Sequence, residues 1–123
     1  MLERAAMANP QKILIVEDEP LIAMMLEDFL DMLDKQPAGT ADTVATALDQ
    51  VNAGGVDAVI LDVHLRGGET SWPVAEALAE KGIPFVLATG GSGEMIEPAF
   101  RDRPILAKPF TLDGVEAALA KLG

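Results

Sequence analysis

Three carboxylates stand at the ends of apolar runs in this chain. Glu17 and Asp18 follow Ile13-Leu14-Ile15-Val16, and Asp62 follows Val59-Ile60-Leu61. Thr89 closes a third run, Ile83 to Ala88, and Lys108 closes a fourth, Pro104 to Ala107. Carboxylates drawn into one small space repel each other, and their convergence is costly unless a cation sits among them. Hard oxygen donors suit Mg²⁺, with Mn²⁺ as an alternative, and not zinc. Mg²⁺ keeps several waters and uses one or two carboxylates, which leaves room for a phosphate. Lys108 adds a fixed positive charge. The Thr89 hydroxyl and the N–H groups of Gly-rich loops are donors for phosphate oxygens. This set fits phosphoryl transfer to a carboxylate, a reaction whose barrier is mainly electrostatic. An aspartate forming an acyl phosphate is established covalent chemistry. Asp62, between the acid pair and Lys108, is the nucleophile candidate.

The elements that must position these groups can be read from hydrophobic patterning. Continuous, largely β-branched runs bounded by turn residues are strands buried on both faces, as in a parallel sheet. Three are clear: Lys12 to Val16, Asp57 to Leu61 and Ile83 to Ala88. Pro104 to Ala107 is a shorter one, and Ala38 to Ala41 is a poor one. Between them the spacing turns helical. Leu21, Ile22, Met25, Leu26, Phe29, Leu30 and Leu33 share a face, with Pro20 in the first turn and Pro37 and Gly39 as the stop. Val44, Ala45, Leu48 and Val51 form a second helix, capped by Asp42 or Thr43 and ended by Gly54-Gly55. Val74 to Ala79 form a third, ending at Gly82. Glu94 to Phe100 is a weak fourth, interrupted by Pro98. Thr111 caps a fifth bearing Val115, Ala118, Leu119 and Leu122. Strand and helix thus alternate five times, which predicts an α/β fold: a doubly wound parallel sheet with helices on both faces. Ligands of such sheets bind at the carboxyl ends of the strands, where the polar groups fall.

Length and composition agree. The 123 residues fit one domain, read as a flexible arm over 1–11 and a domain over 12–123. Cysteine is absent, which excludes disulfides, thiolate metal sites and a cysteine nucleophile. The net charge of −11 argues against nucleic acid and for cationic partners. No apolar run approaches the ~20 residues of a membrane span, and no signal-peptide core stands at the start. The chain is therefore expected to be cytoplasmic and outside the membrane; its oligomeric state is left open, with a monomer favoured.

The motifs Ile13-Leu14-Ile15-Val16-Glu17-Asp18-Glu19, Val59-Ile60-Leu61-Asp62-Val63, Ala88-Thr89-Gly90 and Lys108-Pro109-Phe110 resemble those of two-component response-regulator receiver domains. The likeness runs in order from Lys12 to Leu122. It implies a (βα)5 flavodoxin-like sheet of order 2-1-3-4-5, as in CheY. It also implies a phosphorelay role without other enzyme activity: a phosphoprotein fed by a sensor histidine kinase or a histidine phosphotransfer protein. By the same likeness, Asp62 is the phosphoacceptor and Asp18 a direct Mg²⁺ ligand, with Glu17 assisting through water. The His64 backbone carbonyl completes the protein ligands. Thr89 follows the phosphoryl oxygen, Lys108 pairs with the phosphate, and Lys108-Pro109 is cis. Asp62-Val63-His64-Leu65 followed by Gly67-Gly68-Glu69, then Pro84-Phe85 and Ala88-Thr89-Gly90-Gly91, resembles the α-proteobacterial single-domain receivers with a Phe-Ala-Thr-Gly signature, although Leu87 replaces its Phe. Ile105 stands where many receivers carry an aromatic switch residue, so a moving aromatic coupled to Thr89 is not expected. Mobility is instead expected in the loop from Gly90 to Gly93.

Plainer readings exist for single residues. An Asp at a strand end is often a turn residue, and Glu17-Asp18 before Pro20 suits a helix N-terminus on charge alone. The side chain of His64 reads as an ordinary loop residue. Trp72 either packs on the third helix or faces a partner. Three other functions compete. A haloacid-dehalogenase-like phosphohydrolase needs a second Asp two residues after Asp62, where His64 stands. A flavin or nucleotide module needs a phosphate cradle after the first strand, where Glu17-Asp18-Glu19 would repel phosphate. A binding-only receiver would not need the full set of site residues.

Overall fold

The computed structural model describes residues 11–90 and 96–122. Apart from Gln11, the expected arm lies outside them. The order of elements is β1 (Lys12–Val16), α1 (Pro20–Met32), β2 (Gln36–Ala41), α2 (Val44–Ala53) and β3 (Ala58–Asp62). A 3₁₀ turn (Arg66–Gly68), α3 (Trp72–Lys81) and β4 (Phe85–Thr89) follow. A second 3₁₀ turn (Pro98–Phe100), β5 (Ile105–Ala107) and α4 (Leu112–Ala120) complete it. All strands pair in parallel, in the order β2-β1-β3-β4-β5.

Strand alternation splits the core into two layers. Leu14, Val16, Val59, Leu61, Phe85 and Leu87 face α2 and α3. Ile13, Ile15, Ile60, Val86, Ala88 and Leu106 face α1 and α4. Because both faces are covered, β1, β3 and β4 are apolar apart from Lys12 at the start of β1 and the polar last residues Asp62 and Thr89, which is why they read so clearly in the sequence.

Four local expectations change. First, α1 ends before Pro37: Asp34 takes a left-handed φ of 60° and the Lys35 N–H reaches back 2.8 Å to the Leu30 carbonyl. That closes the helix with a Schellman-type turn. Second, Pro37 and Gly39 belong to β2, an edge strand that starts at Gln36, two residues before the expected Ala38. The register slips between Ile13 and Leu14, so that Pro37 and Gly39, not Pro37 and Ala38, face them. A bulged edge strand tolerates both residues. Third, Gln11 is part of this edge, accepting the Gln36 N–H at 2.8 Å. Fourth, the helix expected over Glu94–Phe100 is a single 3₁₀ turn where described, its first residues lying outside the described ones. Pro98 opens that turn, a place that suits a residue without an N–H. The described residues thus hold four α-helices and not five. The loop from Gly91 to Gly93 also lies outside them.

The caps follow expectation. The Thr43 Oγ1 accepts the Thr46 N–H at 3.1 Å and caps α2, while the Thr111 Oγ1 accepts the Gly114 N–H at 3.0 Å and caps α4. Trp72, half-buried at the start of α3, stacks on Phe100 with ring centroids 5.8 Å apart. Phe100 in turn meets Phe85 edge-on at 5.9 Å. Among the described residues no helix is long and apolar enough to cross a membrane.

Candidate functional site

Parallel pairing aligns the strand ends. Val16 faces Leu61, Asp62 faces Ala88, and Thr89 faces Ala107, so Glu17, Asp62, Thr89 and Lys108 leave the sheet along one edge. The Glu17 N–H donates to the Ala41 carbonyl at 2.9 Å, and the Lys108 N–H to the Thr89 carbonyl at 3.0 Å. These two bonds carry the ladder one residue past β1 and β5 and fix where the side chains start. The Lys108-Pro109 peptide bond is cis.

Glu17, Asp62 and Thr89 are buried, with 4 %, 2 % and 7 % of their surface exposed, while Asp18 is half-buried. Carboxylate oxygens of Glu17, Asp18 and Asp62 lie within 4.8 Å of one another. The Lys108 Nζ donates to Asp62 Oδ2 at 2.9 Å and stands 3.9 Å from Glu17 Oε1. Glu17 Oε2 accepts the Glu19 N–H at 3.1 Å.

Burial makes charge costly here. It pushes the Glu17 carboxyl from its ordinary 4.5 up to about 7; the Glu19 N–H pulls it back, the Asp62 charge adds to the rise, and Lys108 opposes it. Burial likewise raises Asp62, against the hydrogen bond and charge of Lys108 and smaller contributions from Glu17 and the His64 N–H. With both groups ionised, Glu17 Oε1 is buried without a hydrogen-bond donor. An acid cluster with one ammonium, an orphaned buried oxygen and only hard oxygen donors suits a small divalent cation.

The structure brings together Glu17, Asp18, Asp62 and Lys108, and sets Thr89 one residue beyond the strand partner of Asp62. The His64 side chain is exposed, and its backbone forms an isolated antiparallel bridge with Thr70. From the sequence, Thr40 has no role and Asp42 only that of a helix cap. They line, with Glu17, Asp18, Pro20 and Ala23, a hollow of about 260 Å³ beside the acid pair. Their signal was available: β2 ends at the same edge as its neighbours, but its weak pattern concealed that end.

The chain matches the family model described as the response regulator receiver domain over residues 13–120. It is similar to the solution structure of SdrG from Sphingomonas melonis Fr1, with 68 % identity and a TM-score of 0.84, covering 93 % of this chain and 97 % of that one. It is also similar to the BeF3-activated conformation of SdrG from Pseudomonas melonis Fr1, with 70 % identity and a TM-score of 0.79, over 90 % of this chain and 94 % of that one. A curated relative, the phyllosphere-induced regulator PhyR of Methylorubrum extorquens, is 33 % identical over 117 residues, 89 % of this chain. The chain spans 42 % of that relative's length. On this match, and with the five-stranded sheet and its edge of acidic residues and lysine, the chain belongs to the response regulator receiver domains.

Proposed function

We propose that this chain, in the cytoplasm, takes a phosphoryl group on Asp62 from the phosphohistidine of a sensor histidine kinase or histidine phosphotransfer protein, and then changes conformation for partner binding. The observation that carries the reading is the setting of Asp62. It is a buried carboxylate 2.9 Å from a lysine ammonium and within an acid cluster suited to a divalent cation. The likeness to SdrG, solved in a BeF3-activated conformation, supports it.

Asp18, Asp62 and the His64 backbone carbonyl would hold Mg²⁺, with Glu17 next to them. The ion would supply neutralisation of phosphoryl oxygens during transfer. An Asp62 carboxylate oxygen attacks phosphorus as the P–N bond to the donor imidazole breaks, and the imidazole leaves and takes up a proton. Burial holds Asp62 in a water-poor setting, where the Lys108 charge acts strongly. As charge moves from the carboxylate to the phosphoryl group, the Lys108 ammonium moves its pairing with it. The Thr89 hydroxyl donates to a phosphoryl oxygen and favours one of two existing conformations. The chain acts only on its own aspartate: the position two residues after Asp62, where a phosphohydrolase places its acid, is His64.

The test is intact-protein mass after incubation with acetyl phosphate, with and without Mg²⁺, on wild type and Asp62→Asn. One phosphoryl gain that needs both Mg²⁺ and Asp62 is expected. A gain retained in Asp62→Asn would overturn the assignment.

A further inference from the structure

The loop after β3 is closed by more than its own turn. Its arms are joined by the Ser71 N–H to the Val63 carbonyl at 3.0 Å, by the His64–Thr70 bridge, and by the Leu65 N–H to the Glu69 carbonyl at 2.7 Å. Gly67 and Gly68, with φ of 76° and 79°, make the reversal between them. Leu65 is buried in the α2–α3 layer of the core. The Glu69 side chain leaves the loop altogether: its Oε1 accepts the Val44 N–H at 3.0 Å, at the first residue of α2, 25 residues earlier in the chain. The first turn of α2 has no acidic residue of its own. Glu69 therefore supplies the negative charge and one of the acceptors that a helix N-terminus calls for.

One residue thus holds two things. Its backbone carbonyl grips Leu65, next to His64, and its carboxylate ties that grip to α2. The His64 N–H in turn acts on the Asp62 carboxylate. We infer that Glu69 is a positioning residue: it sets the His64 backbone against Asp62 through the clamp on α2, and so sets the affinity of the acid cluster for a divalent cation without touching it. The inference rests on the cation reading above. Supporting contacts of this kind tune metal sites strongly although they bind no metal.

The test is a Mg²⁺ titration of ¹⁵N-labelled wild type, Glu69→Ala and Glu69→Gln, followed at the His64 and Leu65 amides. Hydrogen exchange at Val44 and Leu65 in metal-free protein accompanies it. Glu69→Ala should speed exchange at both amides and weaken Mg²⁺ binding roughly tenfold, the lower end for a lost supporting contact. Glu69→Gln keeps an acceptor oxygen and should bind within about twofold of wild type. Glu69→Ala binding Mg²⁺ like wild type, or Glu69→Gln as weak as Glu69→Ala, overturns the inference. A wild type that binds no Mg²⁺ while Glu69→Ala still speeds exchange at Leu65 overturns the cation reading, and the affinity claim with it. The intact clamp then shows which of the two failed.

Discussion

Asp57 and Asp62 stand at opposite ends of β3, and the same side chain meets opposite conditions. Asp57 is exposed at the amino edge. Its Oδ2 accepts the Lys12 N–H at 2.8 Å, and its own N–H returns 2.8 Å to the Lys12 carbonyl, so it locks β1 to β3. Asp62 is buried at the carboxyl edge, crowded by Glu17 and Asp18 and relieved by one lysine. The amino end spends its carboxylate on holding the sheet together. The carboxyl end leaves one under strain of charge, and such groups mark functional sites more often than structural ones.

The largest effect that would break this contrast is at Asp62. Asp62→Asn should remove phosphoryl incorporation entirely. In metal-free buffer it should melt no lower than wild type, because one crowded charge is gone. A clear fall in Tm on Asp62→Asn would place Asp62 with Asp57 as a structural residue. Lys108→Ala should come next. It leaves the acid cluster without its cation, a change of about 1–2 kcal/mol in metal-free denaturant unfolding, reduced from the buried-pair range because Lys108 is partly exposed. Added Mg²⁺ should recover most of that loss.

Acidity offers a third way to sharpen the comparison. The folded pKa of Glu17, about 7, lies above its ordinary 4.5, so folding favours the protonated group. The stability it contributes is present in full below pH 4.5 and is lost as pH rises through about 7. Metal-free thermal melts should therefore weaken between these limits, and Mg²⁺, which competes with protons for the cluster, should flatten the change. A flat metal-free profile would mean that the cluster is not crowded. The smallest effect belongs to Asp57→Ala: about 0.5–1.5 kcal/mol for one lost hydrogen bond, with Mg²⁺ binding unaltered.

The same two ends explain what was legible in the sequence. β1, β3 and β4 are buried on both faces, so their residues spell out continuous apolar runs, and each run's polar successor marks the site edge. Glu17, Asp18, Asp62 and Thr89 are singled out in this way, and Lys108 by the shorter run of β5 that it follows. β2 lies at the sheet margin, half-buried and bulged, and its Pro37 and Gly39 read more simply as breakers. With the end of that strand hidden, Thr40 and Asp42 went unnoticed beside the acid pair. Asp34 closes α1 through a left-handed conformation that side-chain hydropathy does not encode. Glu69 was legible only as the end of the Gly67-Gly68-Glu69 stretch in the receiver resemblance, with no role of its own. Its partner is 25 residues away, and a hydrogen bond of that span leaves no local periodicity to read.

The stack of Trp72 on Phe100 gives the protein a built-in optical probe. Trp72 is the chain's single tryptophan and the chain has no tyrosine, so emission excited near 295 nm would come from one indole alone. That indole sits where α3 begins, directly after the clamped loop, against a ring carried by the 3₁₀ turn ahead of β5. A change in its quantum yield or polarisation on adding Mg²⁺ or acetyl phosphate would report movement between those two segments without any label.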